Sequence, residues 1–250
     1  MTYCCGILVR EGLVMIADTR TNAGLDNVST FRKLHTFEKK GRHAFAIASA
    51  GNLSVTQNVL HLVHTGIDNP KTKKSERLED MTDMFSAAEL IGRAVQKTGS
   101  NYAEAFEQAN LKFEVSFLFG GQIKGAGPRL FMIYSAGNFI ECTPDAPFLQ
   151  IGEHKYGKPI LDRAVNYDTD LYDALKIGLI SMDSTIKSNL GVGLPIDIAV
   201  TRSGAMEYDT RHRIDASDPY FRDLRERWSS ALRAAHMGIP RPQYGEEKKK

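Results

Sequence analysis

The apolar runs of this chain come in pairs separated by short polar turns, and that grouping constrains the fold more than any other feature. Residues 3–9 (YCCGILV) and 13–18 (LVMIAD) flank Arg10-Glu11-Gly12, whose glycine can supply the positive φ of a hairpin turn. Thr30 to Phe37 and Ala44 to Ser49 flank Glu38-Lys39-Lys40-Gly41-Arg42 and predict a second hairpin. Strand character returns over 113–119, 130–135, 139–142 and 147–151. It returns again at Ile196 to Thr201, Ala205 to Asp209 and Arg213-Ile214, with Ser203-Gly204 as a turn. Strands that pair with their sequence neighbours build antiparallel sheets, because a parallel pair needs a long crossover between its members.

Helical patterns fall between these groups. Asn52 is placed to cap LSVTQNVLHLVHTG, where Leu53, Val59, Leu60 and Val63 recur at helical spacing. A second helix is expected near 82–98, more helix over 101–110, two further helices near 158–165 and 170–187, and a closing amphipathic helix from Pro219 to His236 that carries Trp228. The segments TNAGLDNVS and DNPKTKKSERLED read as polar loops. The expectation is an α+β fold of antiparallel sheets covered by helices, with one domain over 1–236 and a polar tail over 237–250 that ends in the solvated run Glu246 to Lys250.

With 32 basic and 30 acidic residues the net charge is +2, which gives no general attraction to nucleic acid or membrane. The three cysteines, Cys4, Cys5 and Cys142, are odd in number and two are adjacent, so they do not suggest a disulfide framework. The apolar start has no basic segment before it, and no window approaches a membrane span. These features lead us to expect a cytoplasmic protein.

Chemistry enters at the second residue. If Met1 is removed, Thr2 carries both a hydroxyl and a free α-amine, and an amine with a pKa of about 7.7–8.0 accepts a hydroxyl proton near neutral pH. With Glu11-Gly12 at the hairpin tip, Asp18 would lie opposite Cys5 and Thr2 opposite Thr21, leaving the carboxylate roughly 10 Å along the strand from Thr2. Lys33 could bridge that gap, held by Asp18 and favouring the ionised hydroxyl. Gly51, at a strand-to-helix junction, would offer a backbone N–H beside a positive helix end, as an oxyanion site requires.

The segments TYCCGILVREGLVMIADTRTNAG, FRK (Phe31 to Lys33) and ASAGN (Ala48 to Asn52) resemble the proteasome-type N-terminal nucleophile hydrolases. SAGNLSVTQ, IGEHKYGKPILDR and SMDSTIKSNLGVGLPID resemble their bacterial Anbu branch, the proposed ancestral β-subunit. The resemblance implies a four-layer αββα sandwich, a threonine peptidase or amidohydrolase that needs no cofactor, a peptide or other amide as substrate, and assembly into a ring-like or lock-washer oligomer. It implies Thr2 as nucleophile, Asp18 and Lys33 as its partners, Gly51 as oxyanion donor, Asp183 as support for the N-terminus, and Phe31, His35 and Leu53 as a specificity pocket. The segment between Asp18 and Lys33 is one residue shorter than in ordinary β-subunits, and only Met1 precedes Thr2, so activation would depend on methionine removal. Glu153, in Ile151-Gly152-Glu153-His154, stands where many relatives carry a serine near the amine.

Simpler readings stand beside these. Asp18 and Lys33 could form a structural ion pair, and Gly51 could merely permit a turn. Cys4 and Cys5 alternate across a strand, so one is expected to face the core as packing. His61 and His64 share a helical face with no third ligand, and neither Gly120-Gly121 nor Gly191-Val192-Gly193 matches a phosphate loop, so no metal or nucleotide is expected. The rival function is a catalytically silent shell-forming or binding subunit, against which the intact Asp18 and Lys33 speak.

Overall fold

A computed structural model of the chain describes residues 1–22, 28–70 and 72–244. In chain order the elements are β1 (Tyr3–Val9), β2 (Gly12–Asp18), β3 (Arg20–Asn22), β4 (Val28–Thr30), β5 (Leu34–Lys39), β6 (His43–Gly51), α1 (Leu53–Thr65), β7 (Ile67–Asp68) and β8 (Ser75–Glu76). A 3-10 turn and α2 (Met84–Gln108) follow, then β9 (Val115–Ile123), β10 (Arg129–Ile133), β11 (Phe139–Glu141), β12 (Phe148–Gly152), α3 (His154–Ala164), α4 (Leu171–Ser188), β13 (Ile196–Arg202), β14 (Thr210–Ile214) and α5 (Pro219–Gly238).

Two five-stranded antiparallel sheets carry the fold, ordered β12-β1-β2-β13-β14 and β11-β10-β9-β6-β5. Three apolar clusters fill the gaps between layers. Cys4, Leu8, Leu13, Met15, Ala46 and Leu118 lie between the sheets. Tyr3, Cys5, Ile7, Val14 and Ile16 pack under α3, α4 and α5, while Phe45, Phe117 and Phe119 pack under α1 and α2. The result is the expected four-layer αββα sandwich. Because β1 is covered on both faces, all seven of its residues are buried, and both Cys4 and Cys5 pack, one between the sheets and one toward the helices.

Several local expectations change. The first hairpin turns at Arg10-Glu11, with Val9 opposite Gly12, so paired positions are shifted from the sequence reading. Gly12 lies in β2 beside β13, where a Cβ would stand 2.2 Å from the Thr201 carbonyl oxygen, so close strand approach rather than turn geometry requires it. The segment 205–209 is not a strand: Gln122 Nε2 donates to the Arg202 and Ala205 carbonyls and holds this loop instead of a ladder. The two expected helices over 82–110 are one, α2, whose Gly99 packs against the Phe113 ring. Part of each predicted loop pairs as a small hairpin, β3 with β4 and β7 with β8. Residues 23–27, Lys71 and the terminal run 246–250 lie outside the described residues.

Candidate active site

The corrected register decides where the site forms. Cys4 faces Ala17, so Tyr3 is the next residue toward Asp18, and the Tyr3 amide donates to Asp18 Oδ1 at 3.0 Å. Asp18 is therefore beside the residue that follows Thr2, not three positions inside the hairpin. The Tyr3 ring is anchored below by a directional chain. Gln150 Nε2 donates to the phenol oxygen at 2.5 Å, the phenol donates to Ser181 Oγ at 2.6 Å, and Ser181 Oγ donates to the Gly157 carbonyl at 3.0 Å.

Lys33 completes the arrangement as the sequence reading anticipated. Its Nζ donates to Asp18 Oδ1 at 2.8 Å, to the Arg20 carbonyl at 2.6 Å and to the Met1 carbonyl at 3.3 Å, so its three hydrogens are matched by three acceptors. The Lys33 and Asp18 side chains are 6% and 0% exposed. Burial pushes the Asp18 carboxyl above its ordinary pKa, opposed by the Lys33 ammonium and by N–H donation from Tyr3 and Gly193. The Gly193 contact, at 3.3 Å to Oδ2, comes from the glycine-rich loop after α4. Arg20 lies against Gly193 and donates to the Leu190 carbonyl at 3.0 Å, tying that loop to the site.

Thr2 is 8% exposed and lines a cavity of about 690 Å³ together with Met1, Lys33, Gly51, Leu53 and Glu153. Two glycines permit its walls. Gly152 has φ +80°, and a Cβ there would stand 2.0 Å from the Thr2 carbonyl oxygen, which accepts from the Glu153 amide at 2.7 Å. Gly51 has φ +114° and approaches the Glu114 carbonyl so closely that a Cβ would lie 2.3 Å from it. Asn52 caps α1 as expected, accepting from Ser54 N at 3.0 Å, and so directs the positive end of the helix toward this side of the cavity.

The remaining candidates divide. Leu53 lines the Thr2 cavity, whereas Phe31 and His35 are not among its lining residues; Phe31 is 39% exposed, and His35 Nε2 lies 3.2 Å from the Arg32 carbonyl. Asp183 also lies elsewhere. It is paired with Arg225 Nε at 2.5 Å on a separate cleft between α4 and α5, so the carboxylate is committed to a neighbouring helix. Sequence reasoning did not single out Thr21, Ser49, Thr56, Lys112 or Glu114 as cavity residues, nor Gly193 as a donor to Asp18. Burial raises the Cys4 thiol well above its ordinary range and pushes Cys5 up to about 12, leaving both poor nucleophiles. Among the described residues, no helix is long and apolar enough to cross a membrane.

Two face-to-face antiparallel sheets between helical layers, with Thr2 at the head of the first strand and a buried Asp18–Lys33 pair beside it, define the N-terminal nucleophile class of fold. The chain belongs to the proteasome subunit family and, within it, to the Anbu (ancestral β-subunit) branch. The family model described as proteasome subunit matches residues 2–201. Anbu from Yersinia bercovieri is 41% identical, with a TM-score of 0.88 over 97% of this chain and 100% of that one. The Anbu (Gly-1) mutant from Hyphomicrobium sp. strain MC1 is 44% identical, with a TM-score of 0.87 over 97% and 99%. The structure described as a helical assembly of the Anbu complex from Pseudomonas aeruginosa is 38% identical, with a TM-score of 0.89 over 98% and 100%. Proteasome subunit beta 2 of Pyrococcus furiosus is 25% identical over 209 residues, 83% of this chain and 90% of that protein.

Proposed function

We propose that this chain is a threonine peptidase or amidohydrolase whose nucleophile is Thr2 after loss of Met1, working in the cytoplasm as one hydrolase domain over residues 1–236 within a self-assembled oligomer. The observation that carries the reading is the set of acceptors around Lys33. Two of them, Asp18 and the Arg20 carbonyl, belong to the folded body, while the third is the carbonyl of the Met1–Thr2 peptide bond. Hydrolysis of that bond removes the third acceptor and frees one ammonium hydrogen beside Thr2. The same cut creates the α-amine that can act as base.

In the reaction that follows, Thr2 Oγ attacks the amide carbonyl while the α-amine accepts the hydroxyl proton. Lys33, oriented by Asp18, stabilises the developing alkoxide, and the Gly51 N–H receives the oxyanion. Collapse of the tetrahedral species breaks the C–N bond, the α-ammonium returns its proton to the leaving amine, and an ester on Thr2 remains. Water, deprotonated by the α-amine, then cleaves the ester and restores the hydroxyl. Leu53 contributes a wall for the substrate side chain, and Glu153 stands near the amine. Self-association into a lock-washer or ring is supported by the helical assembly described for the Pseudomonas aeruginosa Anbu complex.

The alternative is a silent shell subunit, and the Lys33–Met1 contact favours it for chain that keeps its methionine. Intact mass of protein from its native host separates the two, because retention of Met1 removes the base. Thr2→Ala should abolish hydrolysis of fluorogenic peptides without changing oligomer mass, and undiminished turnover would overturn the assignment of Thr2.

A further inference from the structure

Away from Thr2, one buried side chain is left without a polar partner. His43 opens β6 and is 1% exposed, and its Nδ1 is a buried atom that makes no hydrogen bond among the described residues. Its ring stacks on Phe45, two positions further along the same face of the strand, with centroids 4.2 Å apart and planes 2° from parallel. That face meets the helical layer, where Phe45 packs with Val59 and Val63 of α1. A buried polar atom without a hydrogen bond costs about 1–3 kcal/mol, so a fully buried imidazole in this state calls for a partner from outside the chain.

His43 lines a cavity of about 320 Å³ between β5, β6, α1 and the 3-10 turn Leu78–Asp80. Its apolar walls are Phe37, Val63 and Leu78, the last two 0% and 2% exposed. This is a different place from the Thr2 cavity. Both β6 and α1 run from one to the other, with His43 and Val63 at this end and Gly51 and Leu53 at the far end, about 26 Å away along the strand.

We propose that this cavity binds a neutral apolar molecule of single-ring size through one hydroxyl group, which hydrogen-bonds His43 Nδ1. The size is right, because small-molecule sites begin near about 300 Å³ and combine apolar walls with a few placed polar groups. Burial pushes the His43 pKa below its ordinary value, and Arg42 and Lys39 push it the same way, so the imidazole is neutral at pH 7. A hydroxyl both donates and accepts, and therefore satisfies Nδ1 in either tautomer. The rim offers no cluster of cations for a carboxylate. Lys39 stands there with Glu38 and Glu79, which face Arg211 at 3.8 Å and Arg77 at 3.1 Å. A metal ion is also disfavoured, since among the described residues no three His, Cys, Asp or Glu side chains converge as ligands.

Phenol, toluene and benzoate are the probes, titrated into the full chain by saturation-transfer NMR at pH 7.5. Phenol should saturate one site and bind more tightly than benzoate. His43→Phe keeps the stacked ring and removes the nitrogen, so the ratio of phenol affinity to toluene affinity should be at least about tenfold higher in the parent than in the variant. The variant should melt no lower than the parent, because it removes an unpaired polar atom. A crystal of the parent soaked in phenol needs no variant, and should place the hydroxyl oxygen about 2.7–3.2 Å from Nδ1. Equal ratios in parent and variant, or phenol found elsewhere in the soaked crystal, overturn the site. Tighter binding of benzoate, or stoichiometric zinc held by His43 and His64, overturns the class of ligand.

Discussion

Tyr3 and Asp18 meet across the first hairpin, amide nitrogen to carboxylate oxygen, at 3.0 Å. The contact makes the residue after Thr2 part of the cradle for the carboxylate that holds Lys33. Position of the chain start and charge at the site are thereby coupled, and each can be perturbed separately.

Lys33→Met leaves the Asp18 carboxylate buried without its cation. Breaking a buried pair from one side costs about 3–5 kcal/mol, so the variant's denaturation midpoint should fall sharply at pH 8. The loss should shrink in acid, because protonated Asp18 needs no partner. Chemical denaturation at pH 5 and pH 8 reads both effects, and equal losses at the two values would rule out Asp18 as the source.

The pH dependence of the parent protein follows from the direction of the Asp18 shift. Burial raises its folded pKa above the unfolded value, so on raising pH the unfolded chain ionises first, and this group's contribution to stability falls until the folded carboxyl has also ionised. Above that window the contribution is constant. Activity runs the other way, since Asp18 must be ionised to hold Lys33. Peptide hydrolysis should decline below the α-amine pKa of about 8, then more steeply at a pH above the ordinary carboxylate range. A profile whose second limb lies at the unperturbed carboxylate value would contradict this.

Gly152→Ala inserts a methyl 2.0 Å from the Thr2 carbonyl oxygen at a backbone φ of +80°. The Glu153 N–H to Thr2 contact should be lost and Thr2 displaced. We expect hydrolysis to fall more than about tenfold with a stability loss of about 1–3 kcal/mol. Turnover assays alongside thermal denaturation test this, and a fully active variant would show that the close approach does not position Thr2.

Tyr3→Phe removes a phenol that accepts from Gln150 and donates to Ser181 in a fully buried place. Leaving those partners unpaired should cost about 1–3 kcal/mol in urea unfolding, with an unchanged slope against denaturant. A variant as stable as the parent would mean that both partners find replacements.

The layering was legible because hairpin pairing and helical periodicity are local signals, and the Asn52 cap was legible for the same reason. The register was not. A glycine beside a turn reads as part of the turn, yet Gly12 is required by the carbonyl of Thr201, almost two hundred positions away. At the site, Asp18, Lys33, Gly51 and Leu53 stand in short motifs and come together as expected. Lys112, Glu114 and the Gly193 amide reach the same place only through the fold, and the pairing of Asp183 with Arg225, on another helix, has no local sign in the sequence.

Chain ends commonly fray, and a reactive group placed on one would wander. Here the opening strand has no outward side: sheet lies over one face of β1, helices over the other, and a neighbouring strand along each edge. Thr2 and Tyr3, 8% and 0% exposed, are thus set like a post in masonry behind the 65% exposed Met1.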